Sequence, residues 1–298
     1  MANLKEVRNR IKSVKSTQQI TKAMKMVAAA KLRRAQTAIQ QVRPYANKLN
    51  QMLSNIVSNL DGDFEVSYAK EREVNGALLV IVTSDRGLCG AFNTNVLKAA
   101  RGIVQDKFAK VYDAGNLTVI CLGKKGLDYS KRHFGKATII DDYVNIFKNL
   151  NSTETYKVAD FILNGFDAGK YDAVEVAYGQ FKNPAVQYCI AETYLPVAKI
   201  EAEEVEAKFK ADFIFEPGKA ELLTTLVPSI LRTQLHRYVL DTNASEHGAR
   251  MTAMDKATEN AGELLKELKL SYNKARQEAI TNEILEIVGG AAALEGGS

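Results

Sequence analysis

The chain has 298 residues, 46% hydrophobic and 25% charged, an ordinary globular composition with room for one or two domains. Its net charge of +5 is uneven: the first 60 residues hold twelve Lys and Arg against one acid, Glu6, a net of +11 that leaves −6 for the remainder. No apolar run approaches the ~20 residues of a membrane span, the three cysteines (Cys89, Cys121, Cys189) form no C-x-x-C, and His236 and His247 stand too far apart to share a metal, so a disulfide framework and a metal centre are both disfavoured and a reducing, cytoplasmic setting is expected.

The N-terminal segment, MANLKEVRNRIKSVKS, is basic but has no apolar signal core. From Leu4 a 3-4 apolar spacing runs to Leu60 through Val7, Ile11, Val14, Ala28, Leu32, Ala35, Ile39, Val42, Leu49, Ile56 and others. This predicts one helix about 85 Å long. Pro44 lies inside it without breaking the register. Gln18, Thr21 and Lys25 interrupt the stripe. A basic segment on an acidic remainder points to an acidic partner.

The middle alternates strand-like and helix-like runs. GALLVIVTS (76–84), NLTVICLG (116–123) and YDAVEVAYGQF (171–181) read as strands. VQYCIAETYLPV (186–197) reads as a fourth, near the edge because of Pro196. Helices are expected at 93–110, 124–134 and 153–168. The pattern is α/β with a mostly parallel, Rossmann-like sheet.

A second long stripe follows Glu216-Pro217-Gly218, from Leu223 through Leu240, Met254 and Leu265 to Ala279, with Gly289-Gly290 expected to stop it. Thr233, Arg237, His247 and Thr258 interrupt it. A stripe this long needs a partner of similar length. The simplest architecture is a long antiparallel coiled coil of residues 1–60 and 217–290, with a globular α/β domain inserted at 70–212.

Candidate chemistry centres on VTSDRGLCGAFN (82–93), a glycine turn between strand and helix. Gly87 and Gly90 give only G-x-x-G, short of a dinucleotide fingerprint or P-loop. Gly123-Lys124-Lys125-Gly126 opens another helix and also lacks the spacing. Cys89 at a helix start has the position of a nucleophile but no base in local sequence. The plainer reading is a small residue filling a tight turn, with Asp85 capping it. Arg86 is well placed to meet a partner carboxylate. The basic helix could instead grip phosphates, although Tyr45 is the only aromatic in residues 1–60. A nucleic-acid-binding α/β protein with a basic coiled-coil arm is therefore the alternative reading, and an enzyme using Cys89 a third.

Four segments stand in order: ITKAMKMVAAAKLRRAQ (20–36), TSDRGLCGAFN (83–93), SEHGARMTAMDKATENA (245–261) and YNKARQEAITNEILEIVGGAAAL (272–294). Together they resemble the γ subunit of F-type ATP synthases. Residues 110–215 agree in layout more than in wording. The resemblance implies a central rotor shaft inside a hexameric ring of α and β subunits, with a foot on the membrane c-ring beside the ε subunit. It implies no catalytic residue, cofactor, metal or nucleic acid in this chain, because the chemistry lies on β. It places Arg10, Met24, Lys25, Arg86, Lys98, Arg101, Arg250, Arg276, Gln277 and Thr281 in contact with β, and Ala291 to Leu294 as an apolar tip in a bearing. The chloroplast cysteine pair is absent, which argues against redox switching. The family motif starts almost at Met1, so a bacterial source and a peripheral place on the cytoplasmic side of the inner membrane are expected.

Overall fold

The computed structural model describes residues 4–58, 68, 72–197 and 219–295. Leu60, residues 70–71 and 198–212 of the expected inserted domain, and Glu216-Pro217-Gly218 lie outside the described residues, as do the side chains of Leu223 and of Ala291 to Leu294.

The elements run α1 (Leu4–Ser58), β1 (Ala77–Val82), α2 (Phe92–Asp106), α3 (Ala109–Asp113), β2 (Leu117–Leu122), α4 (Lys124–His133), β3 (Thr138–Ile140), a 3-10 turn (Ile146–Lys148), α5 (Ser152–Asp167), β4 (Ala173–Phe181), β5 (Gln187–Leu195) and α6 (Lys219–Glu295). They form two compact units: Met1–Val27 with Met251–Ser298, and Ala28–Arg250.

In the second unit the sheet order is β3-β2-β1-β4-β5. The first four strands are parallel, and β5 returns antiparallel to β4. The run ALLVIV of β1 is buried at every position, as a central parallel strand covered on both faces requires. Leu78, Val80, Val174, Val176 and Tyr178 face α5 and the first half of α6, where Ile162, Phe166, Leu231, Leu235 and Tyr238 meet them. Leu79, Ile81, Val119 and Cys121 face α2, through Phe92, Val96, Ala100 and Val104. Leu49 of α1 joins the same core as Val227 of α6, and Lys31 lies near Glu246 and His247. Forward steps on α1 thus meet backward steps on α6.

The first unit repeats that antiparallel pairing. Thr258 Oγ1 lies 2.7 Å from Thr21 Oγ1, and Gln18 Nε2 donates to the Thr258 carbonyl at 3.5 Å. Lys25 and Asp255 pair at 2.5 Å. Gln18, Thr21 and Thr258, polar interruptions of the two stripes, therefore bond one another, which offsets the cost of placing them in a seam. Ala28 and Ala244, in the second unit, show the small residues of both stripes buried.

Two expectations are corrected. Gly289-Gly290 does not stop α6, which continues to Glu295. Each glycine costs a helix about 1 kcal/mol relative to alanine, and Ala291, Ala292, Ala293 and Leu294 restore strong helix formers at once. The two helices also differ in length, 55 residues for α1 against 77 for α6. From Ile280 to Gly290 every position of α6 is exposed. One strand, β3, was not foreseen, because three residues carry too little alternation to register. β5 lies at the sheet edge as Pro196 suggested.

Candidate partner-contact site

The turn between β1 and α2 is built from both sides. Thr83 and Ser84 extend the strand and are fully buried. The Thr83 amide donates to the Leu122 carbonyl, and Thr83 Oγ1 accepts from the Gly126 amide at 2.7 Å. Gly123 has φ +109, and a Cβ there would stand 2.1 Å from the Thr83 carbonyl oxygen, so only glycine fits. Asp85, expected to cap its own turn, instead accepts at Oδ1 from the Lys124 amide at the start of α4.

Ser84 Oγ donates to the Arg86 carbonyl at 2.7 Å and accepts from Asn93 Nδ2 at 2.8 Å, while Asn93 Oδ1 accepts from the Ser84 amide at 3.0 Å. Asn93 Nδ2 also donates to Cys89 Sγ at 3.2 Å. Cys89 is 1% exposed, with Ser84, Asn93 and the Arg86 carbonyl around its sulfur. It fills the turn.

Leu88 takes φ 64, a left-handed conformation that costs an L-residue roughly 1–2 kcal/mol. Its side chain is nevertheless 65% exposed. A strained, exposed leucine beside an exposed Arg86 is a presented surface, and sequence reasoning missed the leucine. The signal was available: a large apolar residue between Gly87 and Gly90 has no neighbour in the turn to bury it.

Arg250 comes to this turn from α6. Its Nη2 donates to the carbonyls of Arg86 (3.0 Å) and Gly87 (3.2 Å), and its Nη1 pairs with Glu246 one helical turn earlier. The Arg250 side chain is only 12% exposed. Burial pushes the Glu246 carboxyl above its usual range, and the Arg250 charge pulls it back. His247, with Arg250 Nη1 3.4 Å from its Nδ1, is pushed down to about 4, first by burial and then by Arg250 and Lys31.

In sheets of this order, ligands enter the crevice between β1 and β4 at the carboxyl ends of the strands. Here Gly179 of β4 donates its amide to Thr242 Oγ1 (3.2 Å) and accepts from Ser245 Oγ (3.0 Å), both on α6. A Cβ at Gly179 would stand 2.5 Å from the Phe92 ring. The crevice is packed with the chain's own side chains.

The remaining expected contact residues divide by unit. Arg86, Lys98 and Arg101 are exposed in the second unit, the last two on the solvent side of α2. Among the described residues the Arg86 guanidinium makes no ion pair. In the first unit Arg10 is exposed, Met24 is half-buried, and Lys25 is paired with Asp255. Arg276, Gln277 and Thr281 are exposed on α6, with Thr281 Oγ1 donating to the Gln277 carbonyl at 2.9 Å. Exposed apolar residues accompany both helices there: Ile20, Met26 and Val27 on α1, and Ile284, Leu285, Ile287 and Val288 on α6.

The family described as ATP synthase matches residues 3–294. The chain is 52% identical over 295 residues to the ATP synthase gamma chain of Cytophaga hutchinsonii, with 99% of each chain covered. It is 45% identical over 297 residues to that of Chlorobium phaeobacteroides, covering 99% of this chain and 100% of the relative. The chain belongs to the ATP synthase gamma-chain family. Among solved structures, it is similar to a chain of the Euglena gracilis mitochondrial ATP synthase, OSCP/F1/c-ring, in rotational state 3, with a TM-score of 0.68, 25% identity, and coverage of 99% of this chain and 95% of that one. A second chain, from the rotor of the same complex in rotational state 1, aligns with a TM-score of 0.60 at 22% identity, which supports the fold. No helix among the described residues is long and apolar enough to cross a membrane.

Proposed function

We propose that this chain is the non-catalytic central rotor shaft of a bacterial F-type ATP synthase. It stands within a ring of three α and three β subunits and rests through its α/β domain on the membrane c-ring, beside the ε subunit. Rotation driven by proton flow through the c-ring is transmitted to β, where ATP is made or hydrolysed. The shaft helices are α1 (Leu4–Ser58) and α6 (Lys219–Glu295), and the foot is the α/β domain inserted between them. It uses no cofactor of its own, and it is held peripherally on the cytoplasmic face of the inner membrane by its partners.

The observation that carries this reading is the end of α6. Ile284, Leu285, Ile287 and Val288 are exposed on a helix that no described residue covers. Apolar side chains in such a run mark a surface that another protein encloses. The basic α1 suits a lining of acidic loops. Arg10, Met24, Lys25, Arg276, Gln277 and Thr281 lie on the shaft surface facing β, and Arg86, Lys98 and Arg101 meet an acidic β loop. The Lys25–Asp255 pair is half-exposed, so Lys25 exchanges between Asp255 and a passing carboxylate at little cost.

The test is assembly. Alone, the chain should hydrolyse no ATP. Mixed with α and β subunits it should form one complex with a single copy of this chain and strong ATPase activity. Salt-dependent binding to generic DNA, with no such complex, would replace this reading with the nucleic-acid one.

A further inference from the structure

We propose that Arg250 is a positioning residue that sets the Arg86–Leu88 turn in its working conformation, rather than a direct contact on the partner. The proposal rests on the reading of Arg86 as a β contact.

Three observations converge on it. The Arg250 guanidinium is nearly buried and engaged on both sides, by Glu246 and by two carbonyls of the turn. An arginine with its fork spent on its own backbone has little left to offer a neighbour. The carbonyls it holds belong to Arg86 and Gly87, immediately before Leu88, whose left-handed backbone persists only when its surroundings over-determine it. The other hydrogen bonds on the same segment, from Ser84 Oγ and Cys89 Sγ, reach only the Arg86 carbonyl. Among the described residues, Arg250 alone grips the Gly87 peptide from outside the turn.

The consequence is a division of labour. Glu246 orients Arg250, Arg250 fixes two peptides, and those peptides aim the exposed Arg86 and Leu88. Without the clamp the turn relaxes toward ordinary dihedrals, and Arg86 samples several directions instead of one. Binding then carries an ordering cost that the parent chain does not meet.

Cys89 reports on this directly, because it is buried inside the same turn and becomes reachable when the turn opens. In the full-length chain, iodoacetamide alkylation of Cys89, read by mass spectrometry, should speed up about tenfold or more in Arg250→Gln, since two charge-assisted hydrogen bonds are lost. Glu246→Gln should give a smaller rise. Arg250→Lys should fall between the parent and Arg250→Gln, because an ammonium replaces the fork with a single point of charge. Cys121, fully buried in β2, is the control. Its rate should stay unchanged. An equal rise at Cys121 would mean global opening and would overturn the clamp, as would an unchanged rate at Cys89.

In the complex with α and β, Arg86→Ala and Arg250→Gln should each lower ATPase turnover, and the double variant should be no slower than Arg86→Ala alone. Multiplying losses would show Arg250 acting on the partner by a separate route and would overturn the positioning role. An Arg86→Ala complex as fast as the parent would remove the contact reading and with it this role for Arg250, while the cysteine rates would still report the clamp by themselves.

Discussion

Along β1, Ala77 to Val82 are all fully buried, whereas on α6 every residue from Ile280 to Gly290 is exposed, Ile287 to 71%. Both stretches carry Ile, Leu and Val, although β1 is wholly apolar and the α6 stretch intersperses Thr281, Asn282, Glu283 and Glu286. What separates them is whether the chain supplies the partner. β1 has β2 and β4 beside it and helices on both faces, and its apolar residues stabilise the fold. The end of α6 has no such neighbours among the described residues, and its apolar residues are left exposed. One stretch holds the shape, and the other is the surface we propose an assembly encloses.

The contrast breaks most sharply at Gly123. Gly123→Ala drives a methyl into the Thr83 carbonyl at a positive φ, and should destabilise the chain by about 4 kcal/mol or more in urea unfolding. A loss below about 1 kcal/mol would mean that the β1 turn is not packed as described. Leu235→Ala, at a fully buried site where α6 meets the sheet, should cost about 3 kcal/mol.

A pH titration sharpens the comparison at the clamp. His247 is pushed down to about 4 in the folded chain, against an ordinary value near 6.5 when unfolded. Above pH 6.5 it is neutral in both states and its contribution is fully present. As pH falls from 6.5 toward 4 the unfolded chain takes up a proton that the native chain refuses, and stability is lost across that window. Buried His236, also lowered by burial, acts in the same direction. Glu246 acts oppositely: its raised carboxyl is penalised when charged, and protonation at low pH relieves that penalty. His247→Gln should flatten the acid slope; an unchanged slope would deny the burial of this ring.

The smallest expected effect is at the end of α6. Ile287→Ser should change the stability of the isolated chain by no more than about 0.5 kcal/mol, yet weaken coupled ATPase activity in the complex. A large loss of stability would mean that this end is covered within the chain itself.

Sequence patterns carried the fold well where one face had to be buried. The stripes of α1 and α6, the fully buried runs of β1 and β2, and the edge position of β5 all follow from apolar patterning or a proline. Three features escaped. β3 is too short to show a period, and the end of α6 was misread because Gly289-Gly290 was weighed without the alanines that follow. Leu88 was missed because its exposure depends on a backbone conformation that local sequence only hints at. The site was legible in its residue types more than in their duties. Glu246 and Arg250 stand four apart, a helical ion-pair spacing, but nothing in that spacing says that the arginine also reaches two carbonyls 163 and 164 residues earlier in the chain.

The central claim is mechanical, and the most direct measurement is of motion. The complex of this chain with α and β is fixed to a surface through the ring, and a bead is attached to the α/β domain at an exposed site such as Lys110→Cys. On addition of ATP the bead should turn in one direction in regular steps. A complex that hydrolyses ATP at full rate while the bead stays still would contradict the account.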